Sequence, residues 1–78
     1  LNAQILIEGH TDNTGIATQN NLLSLQRANA IANYLQQKGI ARNRIQCKGF
    51  GATMPIADNN TAAGRAKNRR TSFTITLQ

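Results

Sequence analysis

The 78-residue chain predicts an α/β fold. Two observations carry that reading. A strand-like run (3–8), a long helical pattern and a second strand-like run (44–50) follow one another, an order that favours a right-handed crossover and parallel strands. The chain then closes on Thr71, Phe73, Ile75 and Leu77 alternating with Ser72, Thr74 and Thr76, almost a pure period of two. The length allows one small domain over 1–78. Such a domain buries only about 60% of its unfolded surface, so its stability is marginal.

In the first strand, Ile5 and Ile7 share a face with Ala3, while Gln4, Leu6 and Glu8 take the other. Leu6 predicts that both faces are partly covered. Gly9 ends the strand, and 10–15 has the turn and cap residues of a loop. The helix starts somewhere between Ile16 and Asn21. Its apolar stripe is Leu25, Ala28, Ile31, Ala32 and Leu35, with Leu22 extending it backwards. Lys38 in the last turn and Gly39 as a left-handed cap close it. After the second strand, Gly49-Phe50-Gly51 and Met54-Pro55 make an irregular stretch. Asn59, Asn60 and Thr61 are capping residues for a short helix over 61–68.

There is no Trp, one Tyr and two Phe, so the core must be mostly Ile, Leu and Ala. Net charge is +6, which suits an anionic partner as well as it suits solubility alone. A single cysteine, Cys47, excludes a disulfide within the chain and reads as a buried, inert thiol. No apolar run reaches the ~18 residues of a membrane span. One His, one Cys and three scattered acids form no metal set and no recognisable nucleophile–base pair, so neither a cofactor nor catalysis is expected.

The chemistry concentrates between Gly9 and Arg27. Asp12, one of only three acids against nine Lys and Arg, sits just past the first strand. Asn20, Ser24, Arg27 and Ile31 share a strip of the helix at spacings of three and four. Three of them are polar at the end nearest the Asp12 loop, which places Arg27 beside that loop. A carboxylate and a guanidinium on two sides of one shallow cleft suit a zwitterion. His10 reads as a hydrogen-bonded structural histidine and not as a base or ligand. Thr11 and Asn20 are either secondary contacts or local backbone caps. Leu23 and Ser24 offer backbone or hydroxyl groups to a ligand, or else serve the core and the helix face.

Several separated motifs agree in order and spacing with one family. Gly9-His10-Thr11-Asp12, Gly15 and Asn20-x-x-Leu23-Ser24-x-x-Arg27-Ala28 come first. Gly39-Ile40, Arg44-Ile45, Gly49-Phe50-Gly51 and Pro55-Ile56-Ala57 follow, then Asn59-x-Thr61-x-x-Gly64-Arg65-x-x-Asn68-Arg69-Arg70. Over nearly all its length the chain resembles the OmpA-like peptidoglycan-binding domains, which include OmpA porin C-terminal domains, Pal lipoproteins and MotB stator proteins. The resemblance implies helices packed on a small mixed sheet, a βαβ-type sandwich. It implies non-covalent binding to the peptide stem of peptidoglycan, with Asp12 taking the ammonium of diaminopimelate and Arg27 its carboxylate. Asn68 and Arg69 would lie near the cleft, with Arg69 able to take a second carboxylate.

The family usually has a strand and a helix before the point where this chain begins, so the domain is read as N-terminally incomplete. Ser72 stands where many members carry an acid, a loss of about 0–1 kcal/mol at most for an exposed ion pair. The implied setting is the periplasmic face of a Gram-negative envelope, with membrane attachment only through a parent protein's own anchor. Which parent, and whether the chain forms a homodimer, stay open. Two other classes are weighed. A nucleic-acid binder would use Arg42, Arg44, Lys48, Arg65, Lys67, Arg69 and Arg70, but no aromatic platform interleaves them. A wall hydrolase would need a nucleophile or metal that the sequence does not supply.

Overall fold

The computed structural model describes residues 3–77. Its elements are β1 (Ala3–Gly9), α1 (Ala17–Gln37), a 3-10 turn (Arg42–Arg44), β2 (Ile45–Gly49), α2 (Ala62–Asn68) and β3 (Thr71–Leu77). The sheet order is β2-β1-β3, with β1 parallel to β2 and antiparallel to β3. This is a small mixed α/β fold, as expected. The second strand is shorter than its sequence pattern, because Arg44 is spent in the 3-10 turn.

The core is thin. Ile7, Ala28, Ala32 and Ile45 are buried, and Ile5, Ile31, Leu35, Ile40 and Cys47 pack partly against them. Cys47 lies beside Ile7 in the β1–β2 register and is half-buried, less enclosed than its apolar neighbours suggested. The helix stripe also differs from expectation at its start. Leu22 is 57% exposed, and the small residue Ser24 faces the sheet in place of a leucine. The reason is how closely α1 crosses the strand ends. A Cβ on Gly9 would overlap the Ser24 carbonyl oxygen, and one on Gly49 would sit 2.6 Å from the Leu25 nitrogen. Only glycines there and a small residue on the helix permit that approach.

The end of α1 follows the sequence. Gly39 takes φ 102°, its N–H donates to Gln36 O, and the Ile40 N–H donates to Leu35 O. That pair of bonds is a Schellman cap, with Leu35 and Ile40 both packed against the core. At α2, the Thr61 hydroxyl accepts from the Gly64 N–H at 2.9 Å.

The two sheet faces are unequal. Among the described elements, α1 is the helix that packs along the strands, and it covers β1 and β2. The opposite face is polar around the half-buried Leu6, with Gln4, Gln46, Thr74 and Thr76 beside it. Phe73, Ile75 and Leu77 pair with Ile7, Ile5 and Ala3, so they share the α1 side of the sheet. They nevertheless stay exposed, because α1 does not reach over β3.

Candidate functional site

Three backbone bonds fix the loop after β1. The Phe50 N–H donates to Gly9 O, the Thr11 N–H to Gly51 O, and the His10 N–H to Arg70 O. The loop is therefore stitched to the chain following β2 on one side and preceding β3 on the other. His10, Thr11 and Asp12 are all buried as a result.

Asp12 is held at both oxygens. Oδ1 accepts the Thr14 N–H at 2.9 Å, and Oδ2 accepts Arg69 Nη1 at 2.7 Å. The Thr14 amide first, then the Arg69 guanidinium, hold this carboxyl below the usual carboxylate range. Its side chain is 11% exposed while that of Arg69 is 47% exposed, so the pair presents mainly guanidinium to solvent. Fifty-seven positions separate the two residues. Nothing local in the sequence signals such a contact, which leaves the rest of the half-exposed Arg69 guanidinium at the surface.

Arg27 is exposed and makes no hydrogen bond or ion pair among the described residues. Its placement follows from the helix. Asn21 and Leu25 pass over Gly49 of β2, and Ser24 passes over Gly9 of β1. Asn20, on the remaining flank, donates from Nδ2 to Thr14 O in the Asp12 loop at 3.0 Å. Arg27 lies two turns further along that flank, about 10 Å in axial rise. Asn20 thus keeps the local capping role the sequence allowed, with its side-chain oxygen still open.

The other predicted contacts divide. Thr11 is buried, and its hydroxyl donates to Asp12 O at 2.7 Å, so it supports the loop. Leu23 is partly exposed on the flank of Arg27. Ser24 has no exposed surface, donates to Asn21 O and accepts from the Gly51 N–H. Asn68 is equally buried: its Oδ1 accepts from the Ile56 and Ala57 N–H groups, and its Nδ2 donates to Ala57 O and Asn59 Oδ1. Ser24 and Asn68 are therefore corrected from ligand contacts to struts, since neither side chain has a free group at the surface.

Sequence reasoning also missed the aromatic pair under the loop. His10 stacks on Phe50 with ring centroids 5.4 Å apart and planes 11° from parallel. The available signal was an aromatic between two glycines, at a point where the backbone is too tight for most side chains. Burial first, then the Arg70 guanidinium, push the His10 imidazole below its ordinary range, with Glu8 partly opposing. No group of His, Cys, Asp and Glu among the described residues can hold a metal ion.

The model of the OmpA family matches residues 1–69. The chain is 47% identical over 73 residues to the peptidoglycan-binding protein ArfA of Mycobacterium tuberculosis, covering 94% of this chain and 22% of that protein. It is 49% identical over 76 residues to the outer membrane protein Omp38 of Acinetobacter baumannii, covering 96% of this chain and 21% of that protein. Among solved structures it superposes on the peptidoglycan-associated lipoprotein of Burkholderia pseudomallei with a TM-score of 0.90 at 30% identity, covering 95% of this chain and 63% of that one. The chain thus spans only about a fifth of the length of those two sequence relatives. A match over residues 1–69, with the same fold in a solved relative, settles the family: the chain belongs to the OmpA family.

Proposed function

We propose that this domain binds peptidoglycan without covalent change, by gripping the diaminopimelate residue of the peptide stem. In doing so it tethers a larger protein of the cell envelope to the wall, at the periplasmic face of a Gram-negative outer membrane. The observation that carries the reading is Asp12: an ionised carboxylate, fixed at the tip of a stitched loop, with the Thr14 amide on one oxygen and the Arg69 guanidinium on the other. Such a carboxylate has lone pairs left for an ammonium. The exposed guanidinium of Arg27 stands on the same helix flank as Asn20, which touches the Asp12 loop, and it is free to take the ligand's carboxylate. Asn20 and Leu23 border the path between them. The relatives named for peptidoglycan, ArfA and the Burkholderia lipoprotein, support the partner. The outer membrane relative Omp38 supports the compartment. The donor set supports binding over catalysis, because it offers a carboxylate and guanidinium groups and no nucleophile paired with a base.

The test is co-sedimentation with purified diaminopimelate-type sacculi. Asp12→Ala and Arg27→Ala should each lose most of the bound fraction while circular dichroism shows an unchanged fold. Wild-type sedimentation by both variants would refute the site.

A further inference from the structure

The residue that shapes the Asp12 loop is His10, and nothing in the binding reading uses it. We infer that His10 is a positioning residue, a neutral aromatic wedge that sets the Asp12 loop and makes ligand binding weaken in mild acid. This rests on the proposed reading that Asp12 contacts the ligand.

The His10 side chain is only 4% exposed and lies flat against Phe50. The backbone N–H of His10 is tied to Arg70 O, and that of Thr11 is tied to Gly51 O. The ring thus lies against the segment after β2, while the backbone of the same residue is tied to the segment before β3, and these two segments carry the loop. Asp12 follows two residues later, and its second partner, Arg69, adjoins Arg70 on one of those segments.

The surroundings suit a neutral ring. His10 Nδ1 is buried with no hydrogen-bond partner among the described residues, and so is Arg70 Nη1. The charged groups that act on the imidazole are Glu8 of β1 and Arg70 ahead of β3; towards β2 the ring stacks on the uncharged Phe50, and Lys48 of β2 sits opposite Glu8 in the strand register. Protonation would bury a second cation beside the Arg70 guanidinium, with one acid, Glu8, in partial compensation. The low-energy response is to swing the ring out, which unplugs the loop and moves Asp12.

Burial and Arg70 lower the folded-state pKa of His10 below 6.5. The neutral form therefore stabilises the closed loop at pH 7.5, and that contribution is lost as pH falls below about 6.5. Asp12, held below 3.8, stays ionised throughout this window. Ligand carboxylates near 3.5 and an amine near 10 do not titrate there either, by roughly these reference values.

The experiment measures affinity for a soluble diaminopimelate-containing muropeptide from pH 7.5 to 5.0. It uses wild type, His10→Phe, which keeps the stack on Phe50, and His10→Asn. In parallel, NMR follows the Thr11, Asp12 and Thr14 amides against the His10 ring protons without ligand. Wild type should lose affinity several-fold across the range, with the loop amides shifting at the midpoint of His10. His10→Phe should bind at pH 7.5 and change less than about twofold. A flat wild-type profile, or the same slope in His10→Phe, would overturn the inference. If His10→Phe and His10→Asn both fail to fold, the wild-type amides still decide, since static loop amides through the His10 titration overturn it. Absence of muropeptide binding by wild type at pH 7.5 would instead defeat the diaminopimelate reading, and the link to binding with it.

Discussion

Asn68 has no surface of its own, yet four hydrogen bonds converge on its amide and hold the stretch from Ile56 to Asn59 against the end of α2. Replacing it by alanine strands two backbone N–H groups and a carbonyl whose bonds are part-buried. At about 1–3 kcal/mol for a group left unsatisfied, Asn68→Ala should cost roughly 2–4 kcal/mol. That is a large share of the ~5–15 kcal/mol a domain has. Urea unfolding should show the midpoint drop with the slope unchanged, and a loss under about 1 kcal/mol would mean the bonds re-form with water. Arg69 is the next residue, so the same variant should loosen its grip on Asp12. None of this was legible locally. Asn68 stood out only as a member of the closing motif, and a motif marks a residue without saying whether it faces a ligand or a backbone. Asp12 and Arg27 were legible as chemistry, through the scarcity of acids and the helix spacing. The Asp12–Arg69 pair was not, because a contact across 57 residues is set by the sheet order.

At the scale of elements, the close crossing of α1 over the strand ends decides the position of the loop. At Gly9 the overlap is with the α1 backbone, which cannot rotate away as a side chain can. Gly9→Ala should therefore push α1 off β1 and destabilise the domain by several kcal/mol, of the order seen for overpacked cores (about 1–3) or above it. A thermal melt within a degree or two of wild type would contradict the packing described. The helix end was readable, since Lys38 and Gly39 are local signals and Gly39 alone satisfies the left-handed turn. The helix beginning was not. Leu22 fits a 3.6-residue stripe, but α1 has no side-chain cap at Ile16 and its first turns are set by Gly9, Gly49 and Gly51 pressing on Asn21, Ser24 and Leu25. Period-two alternation likewise placed Phe73, Ile75 and Leu77 on one face, but alternation cannot say that the helix stops short of β3.

For the whole molecule, the sheet order brings the ends of β1 and β2 and the start of β3 to one edge, where the Asp12 loop, Phe50–Gly51 and Arg69–Arg70 meet. Strand, helix, strand predicted the parallel half of this arrangement, and β3 adds the antiparallel half on the far side of β1. The hollow lined by Ala3, Ile5, Gly39, Ile40, Ala41 and Arg44, about 440 Å³, lies at the opposite end of β1 from Asp12. The proposed site at the other end rests on charge and loop geometry and not on depth. A net charge of +6 draws an anionic polymer to this surface generally, so salt-sensitive adhesion says little about the site. The decisive measurement is a calorimetric titration at pH 7.5 with meso-diaminopimelate and, separately, with lysine. Lysine keeps the side-chain ammonium that Asp12 would hold and lacks the second carboxylate that Arg27 would hold. Binding of diaminopimelate with little or none of lysine is the predicted result. Equal binding of both, or of neither, would contradict the account of Asp12 and Arg27 as the two jaws of the site.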